Sequence, residues 1–473
     1  MDDKKRQIPL KVALIPVIFL VVILFIAIGF LKQDPHIPLI CAAAVAAVIA
    51  AFYKFSWRET LDGMLHGINL AMGAILILMV IGTLIGTWML SGIVPTMIFY
   101  GLTILSPGIF LIASLLICSI VSMGTGSSWS TAGTVGVALI AVGKGLGIPL
   151  PMVAGAIISG AYFGDKMSPL SDTTNLAPAV AGTDVFTHIR HMIYTTGPSY
   201  IISLILFGLL GLRYAGGKMD TGNIDIILSA IKANFYVHPV LLLAPVLVIA
   251  MVIKKIPPLP ALLGGTALGG IVAIVFQSKT LADVFNAAQS GYLSQTGVKM
   301  VDELLTRGGL LNMMSTVALI ICALSFGGIM EKTGMLSVIA RALLKRVKRT
   351  GSLVAVTIFS CLGMNILAAD QYMAIVIPGR MYKNAFEQKG LHLKNLSRCL
   401  EDSATLTSSL VPWNTGGAFM GATLGVYPLL YLPYAFLNLL NPLISIFYGY
   451  TGITMTKADN WENGSTAKPQ PKE

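Results

Sequence analysis

Charged side chains are scarce in this 473-residue sequence: Asp, Glu, Lys and Arg supply only 11% of it, against 55% for hydrophobic residues. Soluble globular domains carry about 25% charged residues, so this composition excludes a soluble fold. Apolar runs such as 12–31 and 68–90 approach or exceed the roughly 20 residues that cross a hydrocarbon core as a helix. The short alternating segments of a transmembrane β-barrel are absent. The sequence therefore predicts an all-α polytopic membrane protein.

Several motifs of other protein classes are also missing. The five cysteines are scattered without a Cys-x-x-Cys pair, which argues against disulfides and metal binding by thiolates. No Gly-x-x-x-x-Gly-Lys-Ser/Thr motif is present, so any transport should be driven by ion gradients rather than ATP. No nucleophile–base pair, cofactor motif or metal triad is visible, and we expect neither an enzyme nor a bound cofactor. The first apolar run is too long for a signal peptide and lacks a cleavage site after it, which predicts a retained helix.

The net charge of +11 comes from short basic segments, including 4–11 and 341–349. Such segments face the cytoplasm in membrane proteins, which accounts for the charge better than nucleic-acid binding does. We therefore predict a cytoplasmic N-terminus and a polar cytoplasmic tail over 451–473. The uncharged segment 91–107 is predicted to lie outside, whereas its counterpart in the second half, 332–349, is predicted inside. The two halves should therefore have opposite orientations.

Two polar segments interrupt apolar sequence in the first half. Segment 164–175 (GDKMSPLSDTTN) contains Asp165 and Asp172, and Pro169 between them predicts a break in the helix. Charged groups at bilayer depth usually mark an ion or substrate pathway, although a loop at the membrane surface is the alternative. Segment 122–134 has three glycines and seven hydroxyl residues. It predicts irregular backbone lining a cavity, with a small-residue helix-packing face as the alternative.

The second half carries a matching pair of polar segments, one around Asp370 and one over 401–417. An offset of 237 positions pairs Asp165 with Asp402, and it predicts inverted repeats whose interrupted helices meet near the membrane midplane. About a dozen spanning or re-entrant segments are expected. The predicted division is 1–60, N-terminal transmembrane helices; 61–213, first inverted repeat; 214–300, connector with two transmembrane helices; 301–450, second inverted repeat; and 451–473, the tail.

The chemistry of these segments suits a hard cation, which is bound by several carboxylate, carbonyl and hydroxyl oxygens. A buried carboxyl group favours its neutral form and a bound cation favours its charged form, so one carboxylate can exchange protons for sodium. Asp165 and Asp402 are the leading exchange candidates, although an ion pair of Asp165 with Lys166 or an arginine is the alternative. The candidate ion-binding residues are Thr125, Ser127, Ser128, Asp165, Ser168, Asp172, Thr173, Thr174, Asn175, Asp370, Glu401, Asp402, Asn414 and Thr415, with Asp165, Asp172 and Asp402 as metal ligands.

His188 and His191 lie three residues apart and would share one face of a helix. They could sense pH, because histidine titrates near neutrality, or they could have a plain interfacial role. The pair alone does not make a metal site.

The sequence resembles the NhaC family of sodium/proton antiporters in the segments 125–136, 160–175 and 188–191. The resemblance covers nearly the whole chain. This resemblance implies a homodimer in which a scaffold domain supports a transport domain with re-entrant hairpins. Asn414 and Thr415 resemble the tips of dicarboxylate carriers, except that Pro412 and Trp413 stand where a serine would. The resemblance thus implies a sodium/proton antiporter of the cytoplasmic membrane working by alternating access, with sodium and protons as its transported ions.

The same family includes exchangers of malate and protons for sodium and lactate, and such an exchanger is the alternative function. A substrate carboxylate would need a cationic partner, for which Lys166 and Arg380 are the candidates.

Overall fold

The computed structural model describes residues 6–31, 33–215, 221–345, 347 and 349–458. Residues 1–5 and 459–473, both predicted to be cytoplasmic, lie outside this range. Within it, secondary structure is helical apart from two isolated bridges, Tyr292 with Arg307 and Leu391 with Lys457. The prediction of an all-α fold is confirmed.

The described part of the first half contains eleven α-helices. They are α1 (Leu10–Leu24), α2 (His36–Phe52), α3 (Trp57–Leu70), α4 (Met72–Leu90), α5 (Ile93–Ile104), α6 (Pro107–Thr125), α7 (Ser128–Thr131), α8 (Val137–Gly145), α9 (Leu150–Met167), α10 (Asp172–Ala181) and α11 (Val185–Ala215). A π-helical turn extends α1 over Phe25–Phe30, and another joins α7 to α8 over Ala132–Gly136.

Among the described residues of the second half there are fourteen α-helices. They are α12 (Thr221–Asn234), α13 (Leu243–Ile253), α14 (Pro258–Gln277), α15 (Leu281–Ser290), α16 (Lys299–Leu305), α17 (Met314–Lys332), α18 (Met335–Leu344), α19 (Thr350–Leu367), α20 (Gln371–Gln388), α21 (Lys394–Leu400), α22 (Leu406–Ser408), α23 (Thr415–Leu424), α24 (Pro428–Tyr431) and α25 (Phe436–Thr451). A π-helical turn, Glu401–Thr405, joins α21 to α22. The 3-10 turns are Pro239–Leu242, Leu311–Met313 and Leu432–Tyr434.

Seven helices of the described chain are long and apolar enough to cross a membrane, and two bent pairs raise this number to nine. The seven are Leu10–Phe30, Met72–Leu90, Pro107–Thr125, Val185–Tyr214, Pro258–Gln277, Leu311–Lys332 and Thr350–Leu367. The bent pairs are Ile224–Asn234 with Pro239–Ile253, at 93°, and Pro428–Tyr434 with Phe436–Thr451, at 61°. Three shorter apolar helices are His36–Phe52, Ile93–Ile104 and Met335–Leu344. The chain is a multi-pass membrane protein.

Most of segment 91–107, which is predicted to lie outside, forms the helix α5. Ile93, Val94 and Ile98 are buried in a hydrophobic core to which both halves contribute. A segment without charge has no side chains that hold it in water, and its apolar residues gain more by packing against α4 and α8.

The two halves repeat the same order of elements, but the repeat register differs from the sequence prediction. Ser127 caps α7 and Asp370 caps α20, which places them 243 positions apart (370 minus 127). Ser171 caps α10 and Asn414 caps α23, again 243 positions apart (414 minus 171). The helix breaks therefore align at an offset of 243 rather than 237, and the predicted pairing of Asp165 with Asp402 is wrong.

The last long helices of the two halves, α11 and α25, run in opposite directions. The rings of Phe207 on α11 and Phe436 on α25 are 4.8 Å apart. Earlier on α11, Thr195 shares a buried polar cluster with Asn441, which lies later on α25. Because residue numbers rise along one helix as they fall along the other, the two equivalent helices have inverted orientations.

Glycine residues allow α6 and α9 to approach closely. A Cβ atom at Gly160 would lie 2.3 Å from the carbonyl oxygen of Leu115, and one at Gly164 would lie 2.4 Å from the backbone nitrogen of Met123. Small residues at helix interfaces permit such contact in membranes. This contact places the end of α9, which carries Asp165, beside the break that follows α6.

Candidate functional site

The first polar segment is a helix break next to the end of α6. Helix α6 ends at Gly126, whose φ of 68° belongs to the left-handed region that glycine adopts without a Cβ penalty. Ser127 then caps α7, since its Oγ accepts a hydrogen bond from the backbone N–H of Ser130 at 3.1 Å. The predicted irregular backbone in this segment is therefore present.

The second polar segment breaks between α9 and α10. Helix α9 ends at Met167, and Pro169 lies in the turn before α10 begins at Asp172. Ser171 caps α10 through its Oγ, which accepts from the backbone N–H of Thr174 at 3.4 Å. The break predicted between Asp165 and Asp172 is therefore found, and it separates the two carboxylates onto different helices.

Asp165 is buried, at 5% exposure, and its two carboxylate oxygens have different surroundings. Its Oδ2 accepts from the Ser128 hydroxyl at 2.6 Å and from the Ser128 backbone N–H at 3.1 Å. Its Oδ1 has no hydrogen-bond partner among the described residues. A buried carboxylate oxygen without a donor is costly, and it is a position at which a proton or a cation would be stabilised.

Asp172 lies at the start of α10 and is exposed. Its Oδ1 accepts from the backbone N–H of Thr173 at 2.9 Å. Its Oδ2 accepts from the hydroxyl of Tyr372, which belongs to α20 in the other half. This side-chain contact joins the two halves directly.

Both aspartates line one cavity of about 860 Å³. Thr125 and Ser127 lie on its wall, as do Gln371 and Tyr372 from the second half. Much of the remaining wall is apolar, and the turn 255–258 contributes the cationic side chain Lys255. Carboxylate and hydroxyl oxygens thus converge on a space far larger than one bare cation needs.

Asp402 does not line this cavity. It forms a fully buried ion pair with Lys166, and its Oδ2 lies 3.9 Å from Nε of Arg398. The Thr195 hydroxyl donates to its Oδ1 at 3.0 Å. Lys166 also donates to Oδ1 of Asn441 at 3.0 Å.

The predicted metal ligands Asp165, Asp172 and Asp402 therefore do not share one cavity. Among the described residues Asp165 forms no ion pair with Lys166 or an arginine, so that alternative is not observed either. Consecutive residues of a helix point about 100° apart, so Asp165 and Lys166 face different neighbours. In the part of the chain that the structure describes, no three His, Cys, Asp or Glu side chains form a group that could hold a metal ion.

The two remaining candidate carboxylates of the second half, Glu401 and Asp370, accept hydrogen bonds from residues at the helix breaks. Glu401 is fully buried, and its Oε1 accepts from the Thr173 hydroxyl at 3.0 Å. Asp370 accepts from the backbone N–H groups of Tyr372 and Met373 at 2.9 and 3.0 Å. The Thr415 hydroxyl donates to Oδ2 of Asp370 at 3.3 Å.

The remaining candidates mostly bond to nearby backbone. Ser168 Oγ accepts from the N–H of Leu170 at 3.2 Å. Thr174 donates to the carbonyl oxygen of Lys166 at 3.0 Å, and Asn175 donates to that of Pro169 at 2.9 Å. Asn414 donates to the carbonyl oxygen of Asn365 at 3.0 Å. These side chains hold the loops in shape, and none of them lines the cavity.

His188 and His191 are buried between α11 and α21. Nδ1 of His188 lies 2.8 Å from Oγ of Ser397, and Nε2 of His191 lies 3.2 Å from Oδ1 of Asn395. Both rings therefore join two helices.

Tyr372 and Lys255 are cavity residues that the sequence reasoning missed. Tyr372 stands two residues after Asp370, in the same polar segment of the second half. Its position beside Asp370, at the start of α20, was thus a sequence signal for a cavity residue. For Lys255 the sequence offered only its place in a basic turn.

Comparison with known proteins identifies relatives of this chain. A model of the Na+/H+ antiporter family matches residues 160–453. The chain belongs to this family. The predicted resemblance to the NhaC antiporters is confirmed, because the chain is 39% identical to the Na(+)/H(+) antiporter NhaC of Alkalihalophilus pseudofirmus. That match covers 98% of this chain and 99% of the relative.

Other relatives in the family are named for organic substrates. The chain is 38% identical to the malate-2H(+)/Na(+)-lactate antiporter of Bacillus subtilis, over 96% of each chain. It is 39% identical to the arginine/ornithine antiporter ArcD of Halobacterium salinarum, over 98% of this chain and 96% of the relative. All three relatives are named as antiporters, so the family is one of transporters.

Proposed function

We propose that this protein is a sodium/proton antiporter of the cytoplasmic membrane that works by alternating access. The observation that carries the proposal is Asp165, a buried carboxylate on the wall of a large cavity with one oxygen left unpaired among the described residues. Full-length similarity to a relative named Na(+)/H(+) antiporter NhaC supports the same ions.

Exchange follows from the chemistry of a buried carboxyl group. Burial disfavours the charged form, and a bound cation restores it, so Asp165 would carry either a proton or a sodium ion. Asp172, exposed at the same cavity, would supply a second carboxylate, and the hydroxyls of Thr125 and Ser127 would supply further oxygens. Ser128 would hold Asp165 in place.

We assign supporting roles to the candidates outside the cavity. Asp402 would neutralise Lys166 inside the protein rather than exchange ions. Glu401 and Asp370 would tie the helix breaks together through threonine hydroxyls, and Asn414 and Thr415 would stabilise the second break.

We further infer two inverted repeats over 61–213 and 301–450, linked by 214–300 and preceded by the helices of 1–60. Both termini would be cytoplasmic, and two chains would form a homodimer without a bound cofactor. The cavity includes the turn 255–258, and the pair Lys254–Lys255 at this turn is a basic segment of the kind that faces the cytoplasm in membrane proteins. The site would then be open to the cytoplasm in this structure.

A malate-proton/sodium-lactate exchanger is the second candidate, and the size of the cavity favours it. A volume of about 860 Å³ accommodates a small organic acid, and Lys255 offers a cation on the wall. Lys166 is an unsuitable partner for such an acid, because it is buried against Asp402. Arg380 is exposed and does not line the cavity.

The deciding experiment is proton movement in proteoliposomes under a sodium gradient, with and without malate and lactate on opposite sides. Proton movement driven by sodium alone would support the simple antiporter. Movement that begins only with both organic acids present would establish the exchanger instead.

A further inference from the structure

The hydroxyl of Tyr372 links the two halves of the protein at the cavity. Tyr372 donates to Oδ2 of Asp172, which lies at the other helix break, 200 positions away in sequence. The tyrosine is half-buried and lines the same cavity as Asp165 and Asp172. Its contact is thus made inside the space that an ion must enter.

Each residue of this contact is also held by a hydrogen bond within its own half of the chain. The backbone N–H of Tyr372 donates to the Asp370 carboxylate at 2.9 Å, and the Thr415 hydroxyl donates to the same carboxylate. Asp172 is held by the backbone N–H of Thr173 at 2.9 Å. Because both anchors belong to the helix breaks, the phenol joins the second break to the first.

The two aspartates of the cavity differ in how their oxygens are occupied. Asp165 keeps one carboxylate oxygen without a donor among the described residues. Asp172 already accepts one hydrogen bond on each oxygen. A hydroxyl proton directed at a carboxylate oxygen occupies the position that a cation would take, so the phenol and a cation compete for Oδ2.

We propose that Tyr372 is a positioning residue whose hydroxyl occupies Asp172 in the ion-free site and leaves it when sodium binds. This inference rests on the proposed function. In the ion-free site the phenol connects the halves, and in the loaded site that connection is broken. Ion occupancy would thereby control whether the two helix breaks can move apart, which is the coupling that alternating access requires.

The test is Tyr372→Phe, which removes the hydroxyl and keeps the ring. Tyr382→Phe is the matched control, because Tyr382 lies on the same helix and its hydroxyl is 2.5 Å from Oγ of Ser360, away from the cavity. Sodium binding to purified protein and sodium-dependent proton movement in proteoliposomes are both measured. Asp172→Asn is measured alongside to show that Asp172 is a ligand.

We expect Tyr372→Phe to lower the half-saturating sodium concentration about tenfold, because the variant loses the hydrogen bond that competes with sodium. A tenfold change corresponds to about 1.4 kcal/mol, close to the contribution of a hydrogen bond to a charged group. Its maximal rate should fall, because sodium release no longer regains that hydrogen bond. Asp172→Asn should raise the half-saturating concentration, and Tyr382→Phe should leave it unchanged.

An unchanged or higher half-saturating concentration in Tyr372→Phe would overturn the inference, as would an unchanged one in Asp172→Asn. A wild-type protein that neither binds sodium nor moves protons with it would instead overturn the proposed function. The two failures are therefore distinguishable.

Discussion

Replacing Ser128 by alanine should weaken the ion site at Asp165 and leave the surrounding fold intact. The Ser128 hydroxyl donates to Oδ2 of Asp165 at 2.6 Å, a length typical of a hydrogen bond to a charged acceptor. The variant keeps the backbone N–H donor of residue 128, which lies 3.1 Å from the same oxygen. One of two donors to the carboxylate is thereby lost.

The expected size of the effect follows from this geometry. A hydrogen bond to a charged group contributes about 1.5–3 kcal/mol. The charged carboxylate loses more of this stabilisation than the neutral acid does, so sodium binding suffers relative to proton binding. Because about 1.4 kcal/mol corresponds to a factor of ten, the half-saturating sodium concentration should rise about tenfold or more.

The assay is the sodium dependence of proton movement in proteoliposomes containing equal amounts of folded protein. Ser130→Ala is the control, because Ser130 lies on the same short helix and its buried hydroxyl has no hydrogen-bond partner within the described residues. The control should keep the wild-type half-saturating concentration. Equal sodium dependence in Ser128→Ala and wild type would refute the assignment of Asp165.

Three further predictions concern stability, measured as the midpoint of thermal unfolding in detergent. Lys166→Met leaves the buried Asp402 with only its 3.9 Å contact to Arg398 as an ion pair, so it should destabilise the fold by about 3–5 kcal/mol. Gly160→Ala should lower the midpoint, because its Cβ would lie 2.3 Å from a backbone oxygen of α6, whereas Gly197→Ala, with nothing within 4 Å, should not. The pKa of Asp302 lies below its usual value, chiefly because a backbone N–H of the preceding loop donates to its carboxylate at 2.7 Å. Asp302 therefore stabilises the fold above the ordinary carboxyl pKa and loses that contribution as pH falls through the lowered value. The deficit of Asp302→Asn should thus be complete near pH 7 and shrink as the pH falls below the ordinary carboxyl pKa of about 3.9.

The helix breaks could be predicted because their causes are local. Gly126 supplies a left-handed backbone, and Pro169 cannot continue a helix. The hydroxyl residues beside them satisfy the freed backbone groups, as Ser127 and Ser171 do when they cap the next helices. Composition and apolar run length likewise determine an all-α membrane fold.

The partners of the charged residues could not be predicted in the same way. Asp165 and Lys166 are neighbours in sequence, yet one contacts Ser128 and the other contacts Asp402. Which face of α9 meets which half depends on packing between distant segments. The offset of 237 aligned identical residues, whereas the structure aligns helix caps, which are chemically similar but not identical: a serine in one half takes the place of an aspartate or asparagine in the other.

The contact of Tyr372 with Asp172 could not be predicted from the sequence either. Sequence reasoning placed polar residues at both helix breaks, but only the packing of α10 against α20 brings this phenol to this carboxylate.

The measurement that tests the central claim most directly is sodium-driven proton movement by Asp165→Asn in proteoliposomes. Asp62→Asn serves as the control, because Asp62 is an exposed carboxylate on α3 outside the cavity. Loss of proton movement in Asp165→Asn, with wild-type movement in Asp62→Asn, is the predicted result. Full activity in Asp165→Asn would contradict the account, because the exchanged proton and sodium ion would then be carried elsewhere.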